Sequence, residues 1–164
     1  LSARAWNWAR YWLFGKVHPS VILGEGHVAG HKMLFYADSV QSLQWDEQLR
    51  AVWQVADVIA NVNEILKKRG IRLVVVLIPD KEQIYRELLP IPGGASRTIY
   101  RSSCLVPLEN ELITRAVGVV NLLGPFRESA ASDAILYWPD DTHWNEAGID
   151  LAVQTLWAYL VNHP

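Results

Sequence analysis

Residues 71–80 read Ile71-Arg72-Leu73-Val74-Val75-Val76-Leu77-Ile78-Pro79-Asp80. From Leu73 to Ile78 the run is unbroken, apolar and largely β-branched. That composition belongs to a strand covered on both faces, because a strand with one wet face would alternate. Pro79 has no N–H to give to a ladder, so the strand closes there. Immediately upstream, residues 46–69 place Leu49, Val52, Trp53, Ala56, Ile59, Val62, Ile65 and Leu66 at the spacing of a one-sided helical stripe. Asp46 suits the N-cap of this helix, Lys67-Lys68-Arg69 suit its negative end, and Gly70 stops it.

The same reading extends outward from this helix–strand pair. Residues 80–89 are predicted to form a second helix, and Pro90, Pro92, Gly93 and Gly94 a loop. Residues 107–116 follow as a helix, 118–122 as a strand, 135–138 as a short strand, and 145–161 as the final helix. That last helix gathers Ile149, Ala152, Val153, Leu156, Trp157 and Leu160 on one face, while no element is assigned to residues 123–134. Towards the N-terminus, residues 21–23 and 33–36 are short strands, the first followed by the turn Gly24-Glu25-Gly26. Residues 1–14 read as a short helix that mixes Trp6, Trp8, Trp12 and Phe14 with Arg4 and Arg10. A basic, Trp-bearing helix of this kind suits docking on its own domain or association with a membrane interface. Helices alternating with apolar strands indicate an α/β fold. The expected architecture is a three-layer α/β/α sandwich with a mainly parallel sheet, in one domain over residues 1–164.

Composition limits the partners. A chain of 164 residues that is 51% hydrophobic and 20% charged can build a sizeable core, which excludes wholesale disorder. A net charge of −2 leaves no electrostatic footprint for nucleic acid, so no nucleic-acid partner is expected. Cys104 stands alone and cannot form an internal disulfide. His27 and His31 are four apart, but Gly26 and Gly30 argue against a helix that would bring them together. No metal and no cofactor is expected. The 8 Trp and 6 Tyr against 3 Phe favour aromatics with a polar handle, which serve cores and sugar-binding faces alike.

Open α/β sheets bind ligands at the carboxyl ends of their strands, and two segments stand out there. One is residues 78–85, after the most apolar strand, and the other is residues 137–145, between a strand and the last helix. In the second, Asp141 and His143 lie two apart in a loop, with Asn145 as a helix N-cap. A carboxylate so placed can accept the Nδ1 proton of the imidazole and leave Nε2 free as a general base for a hydroxyl nucleophile. In the first, Asp80 and Lys81 read equally as substrate contacts or as an N-cap followed by a solvated lysine. Glu82 fits the helix dipole without needing a function.

The whole order of segments resembles the alginate O-acetyltransferases of the AlgX and AlgJ type, within the SGNH hydrolase-like superfamily. The stretches that carry the likeness are Val21-Ile22-Leu23-Gly24 with Met33-Leu34-Phe35-Tyr36, then Ile78-Pro79-Asp80-Lys81 with Ile84-Tyr85, then Leu89-Pro90. The most specific is Asp141-Thr142-His143-Trp144-Asn145 followed by Gly148. The resemblance implies an SGNH hydrolase-like fold and a Ser-His-Asp triad in which Asp141 orients His143, the general base. Beside these two, Lys81 and Trp144 are the expected substrate-binding residues. The implied activity passes an acetyl group to a hydroxyl of an exported polysaccharide, in the periplasm or at the inner membrane facing it. The implied partner is a membrane-bound acyltransferase that supplies the acetyl group.

The chain departs from that pattern at the nucleophile. The family's serine lies well after the Asp-Thr-His-Trp block, yet the twenty residues that follow Trp144 contain no serine. Three readings stay open: a domain incomplete at its C-terminus, a homologue that binds glycan without catalysis, or Ser39 of Ala37-Asp38-Ser39 as nucleophile. An acetylesterase, with water as acceptor, would use the same residues.

Overall fold

The fold was taken from a computed structural model that describes residues 18–40, 45–90 and 104–163. The strand expected at the centre forms as β3 (Val74–Leu77) and pairs in parallel with β4 (Gly118–Asn121), Val74 opposite Gly118 and Leu77 opposite Asn121. Successive side chains of a strand point to opposite faces, and both faces are covered. Val75, Leu77 and Val119 pack with Ala56 of α1 (Trp45–Lys67) and Leu112, from the second helix described below. Val74, Val76 and Val120 pack on the other side with Phe126, Leu136 and Ala152. The run is therefore doubly covered, as its composition predicts, although only Leu77 is fully buried and Val74 to Val76 are half-buried.

The remaining elements follow in order. α2 (Lys81–Ile84) and a 3-10 turn (Arg86–Leu88) come after β3, and α3 (Leu105–Thr114), which carries Leu112, precedes β4. α4 (Leu123–Ala131) and α5 (Glu146–Asn162) complete the chain. Near the N-terminus, β1 (Val21–Leu23) and β2 (Leu34–Tyr36) form an antiparallel pair, Val21 opposite Tyr36. These α and β elements form an α/β fold, and its sheets among the described residues are the two strand pairs. The N-terminal helix expected over residues 1–14 and the proline–glycine loop beyond Pro90 lie outside the described residues.

Several elements differ from the sequence reading, each for a physical reason. The helix expected over 80–89 is broken at Tyr85, whose hydroxyl donates to Ala134 O at 2.9 Å and accepts from Leu136 N at 2.8 Å. The strand expected over 135–138 shrinks to one antiparallel bridge, Tyr137 to Trp144, because the chain turns back at once and pairs with itself. α4 occupies residues to which the sequence reading assigns no element, and it carries Pro125 in its first turn. In a first turn proline gives up only an N–H that has no intrahelical partner. On α5 only the Gly148–Ala152 line is buried, whereas Ile149, Val153 and Trp157 face outward. On α1, likewise, Val52, Ala56 and Asn63 are buried and Trp53, Val62 and Ile65 are exposed. Gly26 and Gly30 do exclude a helix at the histidines. Ala29 (φ 45) and Gly30 (φ 80) form a two-residue turn between bridged Val28 and His31.

The start of α5 fixes the loop in front of it. Asn145 Oδ1 accepts from Gly148 N at 3.1 Å, and Asn145 Nδ2 donates to Ile135 O at 2.8 Å. A Cβ added at Gly148 would lie 2.3 Å from Leu136 O and 3.0 Å from Trp144 Cβ. Backbone cannot yield as a flexible side chain would. Gly148→Ala is expected to cost about 1–3 kcal/mol of stability, in the range of overpacked cores. Urea unfolding measures this, and an unchanged midpoint would refute the close contact between helix and loop.

Candidate active site

Residues 136–145 fold back as a loop held by its own backbone. Trp138 N donates to His143 O at 3.0 Å, Asn145 N to Leu136 O at 3.0 Å, and Asp141 N to Trp138 O at 3.3 Å. At the tip, the Asp141 carboxylate accepts from the backbone N–H of Thr142 and, at 3.2 Å, from that of His143. This is the local side-chain-to-backbone bonding that makes aspartate a turn residue. The same oxygen, Oδ1, lies 2.7 Å from His143 Nδ1. These contacts, led by the one to His143, hold the Asp141 carboxyl below its ordinary value.

An ionised carboxylate can only accept, so Nδ1 carries the proton in this contact and Nε2 is the ring nitrogen left to act as a base. The His143 side chain is 77% exposed, which leaves that base open to a reacting group. Beside the pair is a cavity of about 160 Å³ between β1–β2 and the loop, lined by Val21, Tyr36, Asp140, Asp141 and Thr142. Asp141 and His143 are therefore in direct contact. Ser39 sits half-buried in the 3-10 turn Ala37–Val40 after β2, and among the described residues no serine hydroxyl bonds to His143.

The other two site residues expected from the sequence point inward. Trp144 is partly buried, with its ring centroid 6.2 Å from that of Phe126. Lys81 is only 1% exposed, and its ammonium donates to Leu34 O at 2.8 Å, Trp138 O at 2.7 Å, Pro139 O at 2.9 Å and Asp141 O at 3.0 Å. It is not the solvated lysine considered from the sequence, because its ligands are the protein's own carbonyls. Burial pushes Lys81 down to about 8, against the pull of Glu82, Asp140 and Asp141.

Sequence reasoning missed the rest of this support. Glu82, read as a dipole residue, is buried and accepts from Tyr36 N at 3.2 Å, and burial raises its carboxyl. Tyr137 OH donates to Pro79 O, tying the loop to the carboxyl end of β3. Gln83 closes a capping box with Asp80, accepting from Asp80 N at 3.2 Å. Only this last signal, Asp followed by Gln three residues later, was visible in the sequence.

A carboxyl group held down by an imidazole neighbour should release when the neighbour goes. In a carboxyl-detected NMR titration, Asp141 is expected to titrate below 3.8 in the native chain and to move up towards that value in His143→Ala. Because the folded value is depressed, its stabilising contribution is present above the unfolded value and is lost as pH falls through the folded one. Equal titration in both chains would refute the contact.

Comparison with known proteins adds a family. A family model described as "SGNH hydrolase-like domain, acetyltransferase AlgX" matches residues 29–163. The chain is 24% identical over 158 residues to a probable alginate O-acetylase AlgJ of Pseudomonas fluorescens, and 26% identical over 162 residues to the one from Pseudomonas aeruginosa. These alignments take in 95% and 96% of this chain but 37% of each relative, so the chain spans little more than a third of their length. The O-acetyltransferase domain of Pseudomonas putida AlgJ superposes with a TM-score of 0.67 at 20% identity, covering 88% of this chain and 48% of that one. Bacillus cereus PatB1 with a sulfonyl adduct superposes with a TM-score of 0.58 at 15% identity, covering 80% and 42%. At these identities the two structures share the fold.

Proposed function

The chain belongs to the SGNH hydrolase-like acetyltransferase family of AlgX, and we propose on that premise that it supplies the Asp141–His143 half of an O-acetyltransferase site. The acceptor is a hydroxyl of an exported cell-envelope polysaccharide. The observation that carries this reading is the 2.7 Å contact between His143 Nδ1 and Asp141 Oδ1, with the ring exposed and Asp141 lining a cavity.

In the proposed reaction, His143 Nε2 takes the proton of a serine hydroxyl as its oxygen attacks the acetyl carbonyl of a donor ester. The donor's alkoxide leaves with that proton, and the acetyl group is held as a serine ester. The sugar hydroxyl then attacks the ester while His143 takes its proton, and the serine oxygen recovers that proton as it leaves. Asp141 stays ionised throughout, fixing the ring and stabilising the imidazolium. The serine comes from chain outside residues 1–164, in line with relatives of more than twice this length, and Ser39 is set aside for want of a contact with His143.

The same reading covers the architecture and the setting. β3 and β4 are the middle of a mainly parallel sheet in a three-layer sandwich, and residues 1–164 are one SGNH-like domain completed by further chain. Family membership supports a periplasmic site, or one at the inner membrane facing the periplasm, with a membrane-bound acyltransferase as acetyl supplier. Residues 1–14 are a candidate for that membrane association through Trp6, Trp8 and Trp12 beside Arg4 and Arg10. No helix among the described residues is long and apolar enough to cross a membrane.

Acetyl trapping tests the reading. The longer native protein, incubated with an activated acetyl ester, is expected to gain one acetyl group on a serine, mapped by mass spectrometry. His143→Ala should slow that labelling at least about 100-fold, the low end for loss of a general base. Labelling at an unchanged rate would remove His143 from the mechanism, and labelling of Ser39 would make this chain self-sufficient.

A further inference from the structure

We propose that Lys81 is a positioning residue for the Asp141–His143 pair, acting from beneath the loop through the four carbonyl oxygens that its buried ammonium holds. The consequence for acetyl transfer rests on the functional reading above, whereas the positioning of the pair rests on the geometry alone.

An ammonium has three N–H donors, and here four oxygens lie within 2.7–3.0 Å of it, so one N–H is shared between two acceptors. Three of those oxygens belong to Trp138, Pro139 and Asp141, in the turn that leads to the pair. The fourth, Leu34 O, belongs to β2. Pro139 O also accepts from Leu34 N at 2.8 Å, so the loop is moored to β2 by a direct bond and through the ammonium. Carbonyl dipoles aimed at one point repel one another, and a cation at that point makes the arrangement favourable. Asp141 is thus held at two places. Lys81 takes its main-chain oxygen, and His143 meets its carboxylate across 2.7 Å.

Lys81 touches neither ring nitrogen of His143 nor the Asp141 carboxylate, and its burial keeps it from a substrate. Its effect reaches the pair only through the shape of residues 138–141. The side chain therefore sets where the carboxylate sits, while the proton transfers belong to His143.

The test is NMR on this chain with Lys81→Met and Lys81→Arg. Backbone amide spectra report the β3–β4 pair and α5, while the His143 Nδ1–H ring signal and the Asp141 titration report the pair. The expected result is that Lys81→Met keeps the β3–β4 and α5 amide pattern but loses the ring signal, and Asp141 rises to its ordinary value. Lys81→Arg, which keeps a cation, should retain both signatures. A folded Lys81→Met with the ring signal intact overturns the proposal. So does loss of the whole amide pattern in both variants, because Lys81 would then support the fold at large. In the longer native protein, kcat for acetyl transfer should fall about 100-fold in Lys81→Met with KM nearly unchanged, the scale of a misplaced catalytic group. A ring signal that responds to Lys81 in a protein without acetyl transfer would refute the functional reading and leave the positioning role standing.

Discussion

A buried ammonium surrounded by four backbone oxygens is the constraint around which the site-bearing half of the molecule is arranged. Removing a lysine ammonium from water costs several kcal/mol, and that cost is recovered only if the ion's donors are well matched. Here they are matched in excess, at 2.7–3.0 Å. The dependence also runs the other way. Trp138 O and Pro139 O each keep a backbone donor besides the ion, whereas Leu34 O and Asp141 O turn to the ammonium alone, and each of these two would cost about 1–3 kcal/mol if left buried without a donor. Neither the ion nor the turn is stable there alone.

That constraint also explains why β2 stops the sheet. One edge of β2 pairs with β1. On the other edge, Leu34 N goes to Pro139 O, Leu34 O receives Lys81, and Tyr36 N goes to the Glu82 carboxylate. Two neighbouring side chains from the first turn of α2, one donor and one acceptor, thus occupy the groups that another strand would use. An open edge is a pairing hazard, and here it is closed by charge-bearing side chains and a loop. α2 itself is placed by Pro79 and the Asp80–Gln83 capping box, directly after β3. The chain of dependence runs from β3 to α2, from α2 to Lys81 and Glu82, and from these to β2 and the loop that carries His143.

How much of this was legible in the sequence varies with its physical origin. The β3 strand, the α1 helix and the Asn145 cap were readable because each depends on neighbours in sequence: a β-branched run, a 3.6-residue period, and a side chain bonding three residues ahead. The Asp141–His143 contact was readable for the same reason, being two residues long. The Lys81 clamp was not. Its partners lie 47 to 60 residues away, and all of them are main-chain oxygens, which exist at every position and leave no compositional trace. A lysine in the first turn of a helix reads as solvated until the fold shows what lies over it. The interrupted helix after Ile84 has one such cause. The Tyr85 hydroxyl bonds Ala134 and Leu136, a contact between segments about fifty residues apart that competes with local propensity and wins.

The exposure of the pair bears on how it would work. His143 and Asp141 are 77% and 52% exposed, so water competes with their contact and weakens its electrostatic part. The present surroundings therefore orient the base more than they strengthen it. Acyl transfer to a sugar hydroxyl also requires water to be kept from the acyl-enzyme, since water would otherwise accept the acetyl group. Under the proposed reading, the chain that brings the serine to Nε2 must therefore also cover the ring. Covering it lowers the local dielectric, strengthens the Asp141–His143 interaction already set at 2.7 Å, and favours a sugar hydroxyl over water. The orientation is built into these residues by the turn and the buried ammonium, and the catalytic strength would come with the cover.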